Sequence, residues 1–159
     1  MISYMTTKKT AAIDRSIYTM PMFVSMLSSD LSVAEETYNA IGFITLATIP
    51  GPENETQLLH LRREKYQDIL IATGAAQQGT LTASFAAGSE DVDELATRLT
   101  ADDQFQGTVE GPIHTPWFSK DVTITDSDGN KIVITAPREA EHDDAAQWIE
   151  NNISGEFQS

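Results

Sequence analysis

The sequence carries few of the side chains that usually do chemistry. It contains three histidines, His60, His114 and His142, and no cysteine, which excludes disulfides, thiolate metal sites and thiol nucleophiles. Histidine binds metals and transfers protons near neutral pH. His60 and Glu64 are four residues apart and would share a face if one strand continued through both. Residues 63–65 (Arg-Glu-Lys) are typical of a turn, however, so we expect His60 to be an exposed strand residue.

The other candidate chemistries have weaker sequence support. His114 lies between Pro112 and Pro116 beside Trp117, where we interpret it as a pocket residue in a loop, and His142 is predicted to lie at the surface. No Gly-x-Ser-x-Gly elbow occurs. Residues 107–111 lack the lysine and the helix start of a phosphate loop. The sequence therefore identifies no catalytic residue.

Composition and charge limit the partners. The 159 residues, 40% of them hydrophobic, are enough for one domain with a real core. The net charge of -14 disfavours nucleic acid and anionic membranes as partners, since both are negatively charged. It fits a solvated acidic surface or attraction of a cationic ligand. No apolar run reaches the roughly 20 residues that span a bilayer, and residues 1–19, predicted as a polar extension, lack a secretory signal. We expect a cytoplasmic protein.

Two alternating runs around a tight turn form the clearest local pattern. Residues 126–130 (Asp-Ser-Asp-Gly-Asn) favour a chain reversal, and Ile132 and Ile134 share one face of the second run. The region from 121 to 137 is therefore predicted to be a β-hairpin.

The same order of elements occurs twice. A strand, a helix and three strands are predicted in residues 20–73, and again in residues 79–137, which indicates an internal duplication. Ser32 and Glu35 have the spacing of a capping box for the first helix, and Gly42 is a plausible end. The strands are predicted at 22–28, 43–49, 56–62, 66–73, 80–86, 108–113 and in the hairpin, the second helix from Ser89, and a last helix at 140–153, within a C-terminal segment 138–159. The fold class is α+β, with mainly antiparallel pairing and with the helices on one face of each sheet, which leaves the other face for a groove.

Several short motifs carry a resemblance. They are Ser29-Asp30-Leu31 before the first helix, Ala40-Ile41-Gly42-Phe43 after it, Val109-Glu110-Gly111-Pro112, Thr115-Pro116-Trp117, Lys120-Asp121-Val122 and Asp126-Ser127-Asp128-Gly129-Asn130-Lys131-Ile132. In this order, over residues 20–137, the sequence resembles the vicinal oxygen chelate superfamily, which includes glyoxalase I, extradiol dioxygenases and the bleomycin-resistance proteins. The resemblance implies two βαβββ modules with curled mixed sheets around a shared groove, in a homodimer.

The resemblance also marks four positions that hold a metal in some members. These are usually His, Glu or Gln, because divalent ions need oxygen or imidazole donors. In this sequence they fall at Phe23, at or next to Leu70, at Thr80 and at Val133. None is a good ligand, so we predict neither a metal nor another cofactor.

Strand alternation then suggests what lines the groove. If Ala83 and Phe85 pack beneath a helix, Thr82 and Ser84 must face the other way. Trp117 is a candidate stacking surface for a planar or cationic ligand, or else a lid over the core. The predicted pocket, mixed but largely apolar and suited to an organic ligand, comprises Phe23, Tyr66, Leu70, Thr80, Thr82, His114, Trp117 and Val133.

These observations lead to three functional hypotheses. The first is metal-independent binding of a small organic ligand, cationic or aromatic, of the bleomycin-resistance type. The alternative is a metal-dependent glyoxalase-like lyase or a dioxygenase that takes its ligands from His60, Glu64 or His114. A third is an interaction module whose groove is filled by its own side chains.

Overall fold

The structure is a computed structural model that describes residues 22–65, 67–75, 82–138 and 141–152. Tyr66, Thr80 and the predicted extension 1–19 lie outside the described residues. Module 1 comprises β1 (Phe23–Ser28), α1 (Leu31–Ile41), β2 (Ile44–Pro50), β3 (Thr56–Arg63) and β4 (Gln67–Thr73). Module 2 comprises β5 (Thr82–Ala86), α2 (Val92–Ala101), β6 (Thr108–His114), β7 (Ser119–Thr125) and β8 (Lys131–Pro137), and α3 (His142–Asn152) follows it.

Each module forms one four-stranded mixed sheet. Sheet A has the order β1-β4-β3-β2, and sheet B has the equivalent order β5-β8-β7-β6. In both sheets the first strand pairs in parallel with the last one, and the other pairs are antiparallel. The predicted α+β fold of two βαβββ modules, with its terminal hairpin, is confirmed.

The helices cover one face of each sheet. Tyr38 and Ile41 of α1 pack with strand residues such as Leu61, and α2 packs on sheet B in the same way. Full burial of one such side chain stabilises the fold by about 1.5–3 kcal/mol. Ile132 and Ile134 belong to this core, as the alternation predicted. We call the side of each sheet away from its helix the open face.

Helix α1 begins earlier than the capping box implies. The Asp30 carboxylate accepts hydrogen bonds from the amides of Ser32 and Val33, at 3.0 and 3.2 Å. The predicted pairing of Ser32 with Glu35 is therefore wrong: Ser32 lies inside the first turn, and Glu35 accepts a hydrogen bond from Thr45. Asp30 replaces Ser32 as the cap because the helix must begin at Leu31, whose side chain joins the core.

The turn between β7 and β8 fastens module 2 to module 1. The Asp128 carboxylate accepts hydrogen bonds from the Ser28 hydroxyl at 2.7 Å, and from the Ser29 amide and hydroxyl at 3.0 and 2.7 Å. The Tyr38 hydroxyl donates to Asp126 at 2.7 Å. Burial and the nearby Asp126 carboxylate raise the pKa of Tyr38 far above its ordinary value, so this phenol keeps its proton and remains a donor.

A reciprocal contact fastens module 1 to module 2. Arg63, buried at the end of β3, donates to the carbonyl oxygens of Ala86 and Ala87 at 2.9 and 2.6 Å. The Gln67 side chain also donates to Ala86. Burial lowers the pKa of Arg63, and the nearby Glu90 opposes that shift. The two contacts are equivalent. The β3–β4 turn of module 1 contacts the end of β5, and the β7–β8 turn of module 2 contacts the end of β1.

Candidate functional site

The open face of sheet A presents large apolar side chains. Along β1, Val24 and Met26 pack against the core, so Phe23 and Leu27 point the other way. Phe23 is 46% exposed and Leu27 42% exposed, and Ile49 on β2, at 51%, joins them on this face. Phe23 and Leu27 lie on the edge strand β1 and Ile49 lies on the opposite edge strand β2, with β4 and β3 between them.

The pairing of β4 shows which side of sheet A Leu70 faces. Leu70 is paired with Ser25 of β1, and its neighbours Ile69 and Ile71 are buried in the core. Leu70 therefore faces the open side, as the predicted pocket requires. Phe23 is paired with Asp68, two residues before Leu70 on β4, so Phe23 and Leu70 share this face.

The open face of sheet B is polar. Thr82 and Ser84 flank Ala83 and precede the buried Phe85, and Val133, between the buried Ile132 and Ile134, is paired with Ser84. Hydroxyl side chains dominate the face, on Thr82, Ser84, Thr123 and Thr135, with the Asp121 carboxylate accepting from Thr135 at 2.6 Å. Thr82 and Val133 thus share the open face of sheet B, whereas Phe23 and Leu70 share that of sheet A.

His114 lies on the other side of sheet B. It is paired with Lys120, whose amine donates to Asp93 of α2 at 2.6 Å. Lys120 therefore points toward the helix, and His114 shares that side. Ile113, not His114, occupies the open face beside Asp121.

Trp117 is exposed on the loop between β6 and β7. Its side chain is 63% exposed, so it does not act as a lid over the core. The next residue, Phe118, instead packs edge-on against Trp148 of α3 at 6.1 Å and beneath the Arg138 guanidinium at 5.2 Å. The Trp117 ring is therefore exposed to solvent.

His60 differs from its prediction as an exposed strand residue. Its side chain is only 15% exposed and bonds Asp68 through Nε2 at 2.6 Å. Arg62 reaches the same carboxylate, with Nε 2.9 Å from Oδ1 and Nη2 3.0 Å from Oδ2. All three residues are paired across the strands of sheet A on its open face. The correction arises because β3 extends to Arg63 and its hairpin brings Asp68 directly opposite Arg62.

Three of the four positions that the resemblance marks as metal ligands lie in the described residues. Phe23, Leu70 and Val133 carry no donor atom. His60 is bonded to Asp68, and Glu64 accepts from the Ser89 amide on the second module. Across the described ranges, no three His, Cys, Asp or Glu side chains are grouped to hold a metal. The structure does not bring His60, Glu64 and His114 together into the predicted alternative site.

Two depressions lie beside the starts of the helices. One, of about 440 Å³, is lined by residues around Asp30 and Glu35, and the other, of about 340 Å³, by residues around Asp91 and Lys120. Neither is lined by a predicted pocket residue. The open faces are therefore distinct from these depressions.

Solved structures share this architecture. An antibiotic-binding protein from Streptomyces sp. CB03234, TnmS3, is 25% identical over 72% of this chain and 93% of its own, with a TM-score of 0.53. A glyoxalase/bleomycin resistance protein from the same organism is 26% identical over 70% and 96%, with a TM-score of 0.54. A lactoylglutathione lyase from Agrobacterium tumefaciens is 23% identical over 78% and 98%, with a TM-score of 0.55.

These neighbours define the class of the protein. The chain has the fold of the glyoxalase and bleomycin-resistance proteins, within the vicinal oxygen chelate superfamily, as its motifs predicted. Both antibiotic-binding and lyase proteins have this fold, so the fold by itself is compatible with either function. Comparison of the sequence with protein-family models and with curated proteins finds no match. In the described residues, no helix is both long and apolar enough to cross a membrane.

Proposed function

We propose that this protein binds a small organic ligand, aromatic or cationic, on its open faces and without a metal ion. The observation that carries the proposal is the apolar character of the open face of sheet A, where Phe23, Leu27 and Ile49 are exposed and Leu70 is half-buried. Ligand sites are mostly apolar with a few placed polar groups. This face has that composition.

The open face of sheet B would supply the polar part of the site. Its hydroxyls and the Asp121 carboxylate can bond the polar edge of a ligand whose apolar part lies on sheet A. The net charge of -14 would raise the local concentration of a cationic ligand, and Trp117 offers a ring for stacking. Tyr66 and Thr80 remain predicted members of the pocket.

We further propose a cytoplasmic homodimer. The depressions of about 440 and 340 Å³ lie away from the open faces, and the exposed Phe23, Leu27 and Ile49 on the open face of sheet A favour a covering surface. A second copy of the chain would enclose the ligand between sheets.

A metal-dependent lyase or dioxygenase reaction, the alternative, has less support. Of its three candidate ligands, His60 and Glu64 already accept or donate hydrogen bonds within the protein, and His114 lies on the helix side of sheet B. The likeness to a lactoylglutathione lyase at 23% identity concerns the fold.

Calorimetric titration of metal-free protein with glycopeptide and aromatic antibiotics tests the proposal. Stoichiometric binding is expected, and Phe23→Ser should weaken it roughly tenfold, since burial of a large apolar side chain is worth about 1.5–3 kcal/mol and 1.4 kcal/mol is tenfold. The control is Val33→Ser, which also replaces an apolar side chain by serine, but at a half-buried position of α1. Absence of heat across a broad panel would refute the proposal, and a response that needs added zinc or nickel would favour the lyase.

A further inference from the structure

A chain of three ionisable side chains interrupts the apolar open face of sheet A. Arg62 is 0% exposed and Asp68 1% exposed, and Arg62 donates to both carboxylate oxygens of Asp68. His60 bonds Oδ2 of the same carboxylate through Nε2. Burial of such a pair costs several kcal/mol per ion in desolvation, and well-packed apolar residues often serve stability equally well. A contribution to stability therefore does not by itself explain why this ion pair lies on an apolar face.

The hydrogen bonds determine the tautomer of His60. Both oxygens of Asp68 accept from the Arg62 guanidinium, which can only donate, so the Asp68 carboxyl group is the acceptor in this arrangement. The hydrogen of the His60–Asp68 bond must therefore sit on Nε2. In the neutral imidazole this leaves Nδ1 without a hydrogen, as an acceptor.

The two cross-strand neighbours of His60 are apolar, although Arg62 and Asp68 adjoin it on the same face. On its two sides it is paired with Leu70 of β4 and Ala47 of β2. Within the described ranges no residue bonds its Nδ1, and its side chain keeps part of its surface open. A single oriented acceptor in an apolar setting discriminates strongly, because a ligand that covers it without donating leaves it unpaired.

We propose that His60 is the polar recognition residue of the open face of sheet A, and that its Nδ1 accepts a hydrogen bond from an O–H or N–H group on an otherwise apolar, planar ligand. Asp68 and Arg62 are positioning residues that fix the imidazole tautomer. The inference rests on the proposed binding function and names its ligand class: aromatic molecules with a hydroxyl or amine donor, of the phenol type.

Two probes of nearly equal shape test this selectivity. 2-Naphthol has a donor and 2-methoxynaphthalene lacks it, and both can be titrated into the full chain by fluorescence. The parent protein should bind 2-naphthol roughly tenfold more tightly than 2-methoxynaphthalene. 2-Naphthol can donate a hydrogen bond to Nδ1, whereas 2-methoxynaphthalene would leave this acceptor unpaired. His60→Phe should abolish this preference: the affinity for 2-naphthol should fall, and that for 2-methoxynaphthalene should rise, because no acceptor is left unpaired beneath it.

A spectroscopic measurement tests the positioning residues. In ¹⁵N NMR spectra of the parent, the neutral His60 ring should show a protonated Nε2 and a bare Nδ1. In Asp68→Asn, whose amide can pair with either tautomer, both forms should appear, and the preference for 2-naphthol should fall in step with the loss of the bare Nδ1. A merely structural role for Asp68 would change stability but not this tautomer ratio.

The outcomes separate the two proposals. If both probes bind and His60→Phe keeps the preference for 2-naphthol, the role of His60 is overturned and the binding function stands. If neither probe binds and the antibiotic panel is also silent, the binding function fails and the inference falls with it. Should His60→Phe not fold, the parent spectrum still decides, because a hydrogen on Nδ1 of neutral His60 would contradict the inference.

Discussion

The contact of Asp128 with the β1–α1 junction should contribute measurably to stability. The carboxylate accepts three hydrogen bonds from Ser28 and Ser29, between 2.7 and 3.0 Å. Asparagine would keep one accepting oxygen and lose the charge. With a net value of about 0.5–1.5 kcal/mol per hydrogen bond, and with allowance for solvent screening of this partly exposed group, Asp128→Asn should lower the free energy of unfolding by about 1–2 kcal/mol.

The same contact has a predictable pH dependence. Burial opposes ionisation of Asp128, but the hydrogen bonds from Ser28 and Ser29 outweigh it, so the pKa of Asp128 lies below its ordinary value. A depressed pKa stabilises the fold above the unfolded-state value of about 3.9, and this stabilisation is lost as the pH falls through the lower, folded-state value. The difference in the free energy of unfolding between the parent and Asp128→Asn should therefore be fully present at pH 7 and shrink below about pH 4.

Urea unfolding at pH 7 and at pH 3 measures both effects. Asp103→Asn is the matched control, because this substitution removes the same charge from an exposed residue on the loop after α2. The reasoning is refuted if the two variants lose equal stability at pH 7, or if the deficit of Asp128→Asn is as large at pH 3 as at pH 7.

Three further predictions follow from the hydrogen bonds that connect the two modules and from the four positions that the resemblance marks as metal ligands. Tyr38→Phe should cost about 1–2 kcal/mol in urea unfolding, since the buried Asp126 carboxylate loses a donor at 2.7 Å without any change in packing; an unchanged midpoint would contradict this. Arg63→Lys should cost about 2–4 kcal/mol, because an ammonium cannot reproduce the fork that bonds Ala86, Ala87 and Gln67; stability equal to the parent would show that the fork is unimportant. Zinc or nickel should leave the Tm of the parent unchanged, whereas Phe23→His, Leu70→Glu, Thr80→His and Val133→Glu together should lower the metal-free Tm and let added metal restore part of it; a parent that is stabilised by zinc would contradict the assignment of these positions.

Much of the fold could be predicted from local pattern. Alternation placed Ile132 and Ile134 in the core and Thr82 on the opposite face, because a strand fixes side-chain direction with a period of two. The cap at Asp30 was missed because three neighbouring serines offer similar chemistry, and only burial of Leu31 decides among them. Such choices depend on tertiary packing, which a local motif does not contain.

The polar cluster on sheet A was missed for a different reason. Arg62 and Asp68 are six residues apart, and nothing in either residue alone indicates a buried pair. A signal was nevertheless present: for a hairpin centred on Lys65, residues equally distant from the centre face one another, which pairs Arg62 with Asp68 and His60 with Leu70. Register prediction for the hairpin would have found the pair, whereas motif matching did not.

The face of His114 depends on one inserted residue. In β6, Glu110 is paired with Thr123, but the register shifts before Ile113, which is paired with Asp121. Such a bulge moves every later side chain to the opposite face. It forms at Gly111, whose φ of 103° favours glycine and where a Cβ would lie 2.6 Å from the Asp121 carbonyl oxygen. Unbroken alternation would have turned His114 toward the open face, whereas the bulge places Ile113 there, opposite Asp121.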